Sequence, residues 1–252
     1  MVLDNEKLCD SNENFDVIIP SKLLFGLAED YKQVIVNCRH ELILIRADID
    51  LDAIHQTEIA NAAAENVKIT LDKIEWLVLY VTMSDSKQVD MLSYISKDLS
   101  ISIPFSSWEL YEYPCLPITT KHIWSVKTTN QLEKPRYIIF SLQTGRKNQS
   151  SKRADIFDHC KIEDFAVYLN SQRYPYANMN IDILNRNFME GGPFIGIDCS
   201  SQKESIKAGS VDVRLEFGAT EVFPLGTTAY CLILHDRIVG YEPLSRQIRK
   251  LI

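Results

Sequence analysis

From Val211 to Phe217 apolar and polar positions alternate without a slip. Val211, Val213, Leu215 and Phe217 share one parity, and Asp212, Arg214 and Glu216 share the other. A period of two with one apolar face predicts a strand half-buried in a sheet. The stretch EKPRYIIFSLQTGRK, 133 to 147, repeats the pattern: Ile138, Phe140 and Leu142 alternate with Tyr137, Ser141 and Gln143. Pro135 opens it, and Gly145 with Arg146 and Lys147 closes it. From residue 100 onward the chain reads almost entirely as strand and turn, with further candidates in SISIPF, ELYEYP, HIWSVKT, EDFAVYLNSQ, PFIGIDC, TAYCLILH, RIVGY and RQIRKL. Turn signals at Pro224-Leu225-Gly226 and Glu242-Pro243-Leu244-Ser245 punctuate the last of these. The expected core comprises Phe140, Leu142, Val167, Leu169, Val213, Leu215, Phe217 and Leu232.

The first hundred residues are more mixed. Residues 1–16 are polar and acidic and read as a loose arm. SKLLFGLAEDYKQ predicts a short turn or helical piece. VIVNCRHELILIRA, 34 to 47, ends in four consecutive apolar residues, Leu42 to Ile45, which predicts a strand covered on both faces. TEIANAAAENV, 57 to 67, is alanine-rich and predicts a helix with Thr57 as its N-cap. KITLDKIEWLVLYVTMS, 68 to 84, reads as a long strand whose phase slips near Asp72–Lys73, as at a bulge. Asp85, with Gln88 three residues on, predicts a capped helix start. Val89, Leu92 and Ile95 then give helical spacing to about Leu99.

About ten strands with two short inserted helices predict an all-β, antiparallel jelly-roll sandwich. Helices are too few for a βαβ fold, and long strands with insertions suit the eight-stranded jelly roll better than an immunoglobulin-like sandwich. The expected organisation is an arm over 1–16 and a single jelly-roll domain over 17–252.

Composition changes this picture little. The chain has 252 residues, of which 46% are hydrophobic, as in an ordinary globular protein. A net charge of −7 argues against a general affinity for nucleic acid. The six cysteines, Cys9, Cys38, Cys115, Cys160, Cys199 and Cys231, stand singly, which predicts reduced thiols rather than a zinc knuckle. The N-terminus has no apolar signal-peptide core and no stretch is long and apolar enough to span a membrane, so an intracellular setting is expected and the sequon at Asn148 reads as a chance match.

Candidate chemistry is sparse. Asp158-His159-Cys160 alternate faces on a strand and cannot converge on one metal ion. Cys38 and His40 share a face but make only two ligands. His235-Asp236 could join Ser200, Ser201 or Ser210, yet no G-x-S-x-G elbow is present. Glu109 and Glu112 stand beside Tyr111 and Tyr113, the raw material of a glycosidase pair. Gly191-Gly192-Pro193 is a tight turn without the features of a phosphate loop. Arg146, Lys147, Lys152 and Arg153 form a basic loop, and Arg246, Arg249 and Lys250 a basic terminus. Trp108, Tyr111, Tyr113 and Trp124 read as core and rim. No catalytic, cofactor-binding or metal residue is assigned, and neither a cofactor nor a small-molecule partner is expected.

Several stretches resemble the double jelly-roll major-capsid-like proteins of Polinton/Maverick and adintovirus-type elements, of the kind found in insect and other animal genomes. They are LFGLAEDYKQVIVNCRHELILIR (24–46), KITLDKIEWLVLYV (68–81), LEKPRYIIFSLQTGRK (132–147), FDHCKIEDFAVYLNSQRYPY (157–176), DCSSQKESIKAGSVDVRLEF (198–217) and TTAYCLILHDRIVGYEPLSRQIRKLI (227–252). The resemblance is mainly to the C-terminal jelly roll, and between Asn187 and Phe194 this chain has only FMEGGP, where relatives have a longer segment. It implies a non-enzymatic capsid structural protein, or a shortened genome-resident relative of one, assembling through strand edges and loops. It implies self-association or binding to a longer capsid relative, in cytoplasm, nucleus or virion. The competing readings are a β-sandwich module binding carbohydrate or another ligand, which needs Trp108, Tyr111 and Tyr113 exposed in a row, and a sandwich hydrolase with converging carboxylates or a Ser/His pair.

Overall fold

The structure is a computed structural model that describes residues 14–56, 68–126, 135–181, 192–201 and 211–251. Nine strands are described: β1 (Ile101–Tyr113), β2 (Lys121–Val126), β3 (Pro135–Thr144), β4 (Ile162–Leu169), β5 (Gln172–Tyr174), β6 (Ile195–Asp198), β7 (Val213–Ala219), β8 (Thr227–Glu242) and β9 (Gln247–Lys250). All pairings are antiparallel. One sheet runs β1-β8-β3-β6 with β9 paired to the end of β8, and the other runs β2-β7-β4-β5. This interleaved order, with chain neighbours split between sheets, is the winding of a jelly roll.

The alternation is observed on β7 and only in part on β3, where Ser141 and Gln143 are buried as well. Val213, Leu215 and Phe217 are buried while Arg214 and Glu216 are not, and Ile138, Phe140 and Leu142 are buried on β3. The rings of Phe140, Phe165 and Phe217 meet between the sheets, with centroids 4.6 Å apart for Phe140–Phe165 and 4.8 Å for Phe140–Phe217. Of the expected core, only Leu232 departs. On β8 the odd positions Ala229, Cys231 and Ile233 face the core, so Leu232 is half-buried on the outer face.

Two pairs of predicted segments prove continuous. SISIPF and ELYEYP are one strand, β1, in which Pro104 is tolerated because an edge strand can lack one donor. TAYCLILH and RIVGY are likewise one strand, β8. The hairpin between β4 and β5 turns on Asn170 (φ 46°) and Ser171 (φ 74°), as a two-residue loop requires.

Upstream, the 3-10 turn Ser21–Leu23 and helix α1 (Gly26–Asp30) answer to the predicted helical piece, and α2 (Asp85–Ile95) to the predicted helix. The N-cap of α2 is Ser84 rather than Asp85, which is already the first helical residue. The predicted helix 57–67 lies outside the described residues. The strands predicted over 34–47 and 68–84 are not formed. Both stretches lack ladder partners among the described residues, and Leu71 through Thr82 are all exposed. Apolar alternation makes a segment competent to be a strand, but a strand also needs a neighbour to take its backbone hydrogen bonds. Neither stretch is paired to an edge strand of either sheet among the described residues.

The upstream segment is nevertheless tied to the sandwich. The Tyr241 hydroxyl donates to Val36 O (3.1 Å), Asn37 donates to Pro243 O (2.6 Å), and Arg246 donates to Asn37 Oδ1 (2.9 Å). Asp98 accepts from the Leu244 amide (2.9 Å) after the end of α2. Gln56 N donates to Ser150 O (2.7 Å). Helix α1 sits against the edge of β1, where Asp30 Oδ2 accepts the Ser106 amide (2.6 Å).

Candidate assembly surface

Among the described residues the candidate catalytic groups do not converge. Asp158 is engaged by Arg146, with Nη2–Oδ1 at 2.8 Å and Nε–Oδ2 at 3.2 Å, and by the Thr144 amide at 2.8 Å. Its neighbour His159 accepts the Lys161 amide at Nδ1 (3.0 Å), and Cys160 lies 3.5 Å from Thr144 Oγ1, so the triplet points three ways. Cys38 and His40 lie on the upstream segment, where the Cys38 thiol donates to Arg39 O (3.7 Å) and His40 is exposed. His235 is buried within β8, while Asp236 pairs with Arg136 (3.1 Å) on the outer side. Ser200 donates its amide to Asp198 (2.8 Å), Ser201 is exposed in the same turn, and Ser210 lies outside the described residues. No group of three or more His, Cys, Asp or Glu that could hold a metal occurs among the described residues.

Glu109 and Glu112 have opposite parities on β1 and cannot act as an acid pair. Glu109 accepts from the Tyr111 hydroxyl and pairs with Arg237 (3.5 Å), whereas Glu112 pairs with Lys147 (2.6 Å). Burial and the Glu109 bond both push the Tyr111 phenol upward, so it stays protonated. The aromatic row needed for a sugar platform is absent for the same reason. Tyr111 and Tyr113 pack inward against the core with Trp124, whose ring lies 5.7 Å from Tyr113, while Trp108 faces out. The cavity beneath Phe140, Asp158 and Pro193 measures about 10 Å³, room for one water molecule.

Three of the four basic loop residues are paired with carboxylates. Arg146 holds Asp158, Lys147 holds Glu112, Lys152 donates to Gly145 O (3.0 Å), and Arg153 pairs with Asp155 (2.6 Å). At the other terminus Arg246 is held by Asn37 and Arg249 by Glu242 (3.4 Å). A surface of this kind presents little free positive charge to phosphates. Gly192 (φ 94°) packs its backbone on Phe157, where a Cβ would lie 2.1 Å from Phe157 O. Ser141 donates to Pro193 O beside it (2.8 Å), while Gly191 lies outside the described residues.

What the sandwich does present is an apolar outer face on the five-stranded sheet. Register places Leu110 beside Leu232 and Leu232 beside Ile139, and in the next row Trp108 beside Leu234 and Leu234 beside Tyr137. Leu110 is 58% exposed, Trp108 and Tyr137 are exposed to a lesser degree, and the other three are half-buried. Ion pairs flank these rows, Arg136–Asp236 on one side and Lys147–Glu112 on the other. A contiguous apolar patch rimmed by charge is the signature of a protein contact surface. The sequence reading missed it because the face is assembled from three strands far apart in the chain. Leu232 and Leu234 show no more than a run of apolar residues until β8 is placed between β1 and β3.

No helix among the described residues is long and apolar enough to cross a membrane. No match is found among curated proteins. Protein-family profiles match the double jelly roll-like domain over residues 4–188 and 183–239. The profile and the interleaved strand order agree, and the chain belongs to the family of double jelly roll-like domain proteins.

Proposed function

We propose that this protein is a capsid-type structural protein, or a shortened genome-resident relative of one, that works by protein–protein assembly and not by catalysis. The observation that carries this reading is the charge-rimmed apolar face formed by Trp108, Leu110, Tyr137, Ile139, Leu232 and Leu234 on a sandwich of a capsid-type family. The scattered carboxylates support the same reading, since Asp158, Glu109, Glu112 and Asp236 are each held in a local ion pair. An origin in a Polinton/Maverick or adintovirus-type element rests on the stretches quoted above. The partner is a second copy of the chain or a longer capsid relative. Residues 17–252 act as one unit behind an arm at 1–16, a division supported by the bonds from Val36, Asn37, Gln56 and Asp98 to the sandwich.

Size-exclusion chromatography with light scattering, followed by negative-stain microscopy, tests the proposal. Small, defined oligomers are expected. A protein that remains strictly monomeric at high concentration and does not bind a longer capsid relative would overturn it.

A further inference from the structure

We propose that the stretch Ile69–Leu79 is a self-recognition strand that pairs antiparallel, across a twofold axis, with the same stretch of a second copy. The proposal rests on the assembly reading above and specifies one of its contacts. Three observations lead to it.

First, the stretch has the composition of a sheet strand and no sheet. Leu71, Ile74, Trp76, Leu77, Val78, Leu79, Tyr80 and Val81 are all exposed, with Leu79 at 97% and Tyr80 at 96%. No residue in it adopts a positive φ, and Leu71–Val81 have no ladder partner among the described residues.

Second, one of its two edges is already assigned. The Ile69 amide donates to Asp50 Oδ2 (3.1 Å) and the Ile69 carbonyl accepts from Arg46 (2.6 Å), while Arg46 and Asp50 pair with each other (2.7 Å). In a strand the N–H and C=O of one residue point to the same edge, and those of the next residue to the other. That edge is therefore taken by its own chain at Ile69, where the stretch begins. The edge of Thr70, Asp72, Ile74, Trp76 and Val78 is open to a partner.

Third, the charges select the partner and the register. Lys73 and Glu75 now pair within one chain (2.6 Å), both exposed. If Ile74 faces Ile74 of a second copy, Lys73 faces Glu75 on both sides of the axis. Leu71 then faces Leu77, Ile69 faces Leu79, and Thr70 faces Val78. Moving the axis one residue either way, to Lys73 or to Glu75, places like charges opposite each other. Pairing through the open edge also makes Ile74–Ile74 the hydrogen-bonded pair. It puts Lys73 and Glu75 in the closer, non-hydrogen-bonded position, where opposite charges gain and like charges lose. A self-complementary patch of this kind is what a twofold contact requires.

Charge swapping in the full chain tests the register. Lys73→Glu and Glu75→Lys are each expected to weaken self-association roughly tenfold or more, read by sedimentation over a concentration series. The double swap should restore it. An equimolar mixture of the two single variants should give a 1:1 heterodimer by native mass spectrometry, because each then offers the other its opposite charge. Both positions are exposed, so folding is not at risk, and circular dichroism checks this. Ile74→Cys should cross-link across the axis on oxidation, since a facing pair lies about 5.5 Å apart. Leu79→Cys should not exceed the parent protein. Oligomers that ignore both charge reversals, or that cross-link through Leu79→Cys and not Ile74→Cys, would overturn this contact while leaving assembly intact. A wild-type protein that never self-associates would overturn it whether or not a longer relative is bound, and binding to that relative decides separately whether the assembly reading survives.

Discussion

The Asp158 carboxylate lies across Arg146 in a two-point contact, and the same carboxylate accepts the Thr144 amide at the end of β3. The loop after β3 is thereby clamped to the segment that leads into β4. Burial raises the Asp158 pKa, but the Arg146 and Thr144 bonds outweigh it and the net shift is downward. A carboxyl held below its unfolded value stabilises the fold above that value and loses the contribution as pH falls through the folded one. Stability should therefore drop as pH descends through and below about 4. Asp158→Asn should cost roughly 1.5–3 kcal/mol at neutral pH and flatten the acid limb of the curve. Urea unfolding at a series of pH values measures both.

The ring cluster sets the second expectation. Phe217 touches Phe140 and lies 5.7 Å from Phe223, so Phe217→Ala should cost on the order of 3–5 kcal/mol. Ile233→Ala, fully buried, should cost distinctly more than Leu232→Ala next to it, which is half-buried on the outer face. Equal losses in chemical denaturation would contradict the observed facing of β8.

Thiol chemistry reads the sandwich in another way. Cys199 and Cys231 are buried, and desolvation pushes both thiols up to about 12. The thiolate is the reactive form. Among the cysteines of the described residues, Cys115, which is exposed, should alkylate first, and Cys199 and Cys231 only after unfolding. Peptide mass spectrometry after a timed pulse of iodoacetamide gives the order directly.

The outer face should be separable from the core. Leu110→Glu places a charge in the middle of the apolar rows at a position already 58% exposed. Monomer stability should change by less than about 0.5 kcal/mol. Association measured by light scattering should weaken if these rows form the contact.

The jelly roll was legible wherever a strand has one wet face. At β7 period-two alternation named the buried residues correctly because solvent on one side forces polar residues there, whereas on β3 Ser141 and Gln143 are buried too, their side chains bonded to Pro193, Ala154 and Ile156. Leu232 failed because β8 is central and its outer face is itself apolar, so parity alone could not choose a side. Residues 34–47 and 68–84 read as strands for a sound local reason, yet backbone pairing is not encoded in side-chain period. Asp158, His159 and Cys160 do diverge, but in the loop before β4 and not on a strand, so strand parity was not the reason. The apolar outer face could not be seen, because Leu110 and Leu232 stand about half the chain apart in sequence and meet only through register.

Helix α1 has a consequence for the route of any assembly. A Cβ on Gly26 would stand 1.7 Å from Ser106 O, and Asp30 takes the Ser106 amide, so the chain occupies the middle of the β1 edge with its own backbone and a carboxylate. An open edge is a template for endless strand addition. With β1 stoppered, this protein cannot grow as a continuous cross-chain ribbon through that edge. Any strand-by-strand addition to the sheets would have to use another edge, such as that of β6, β2 or β5.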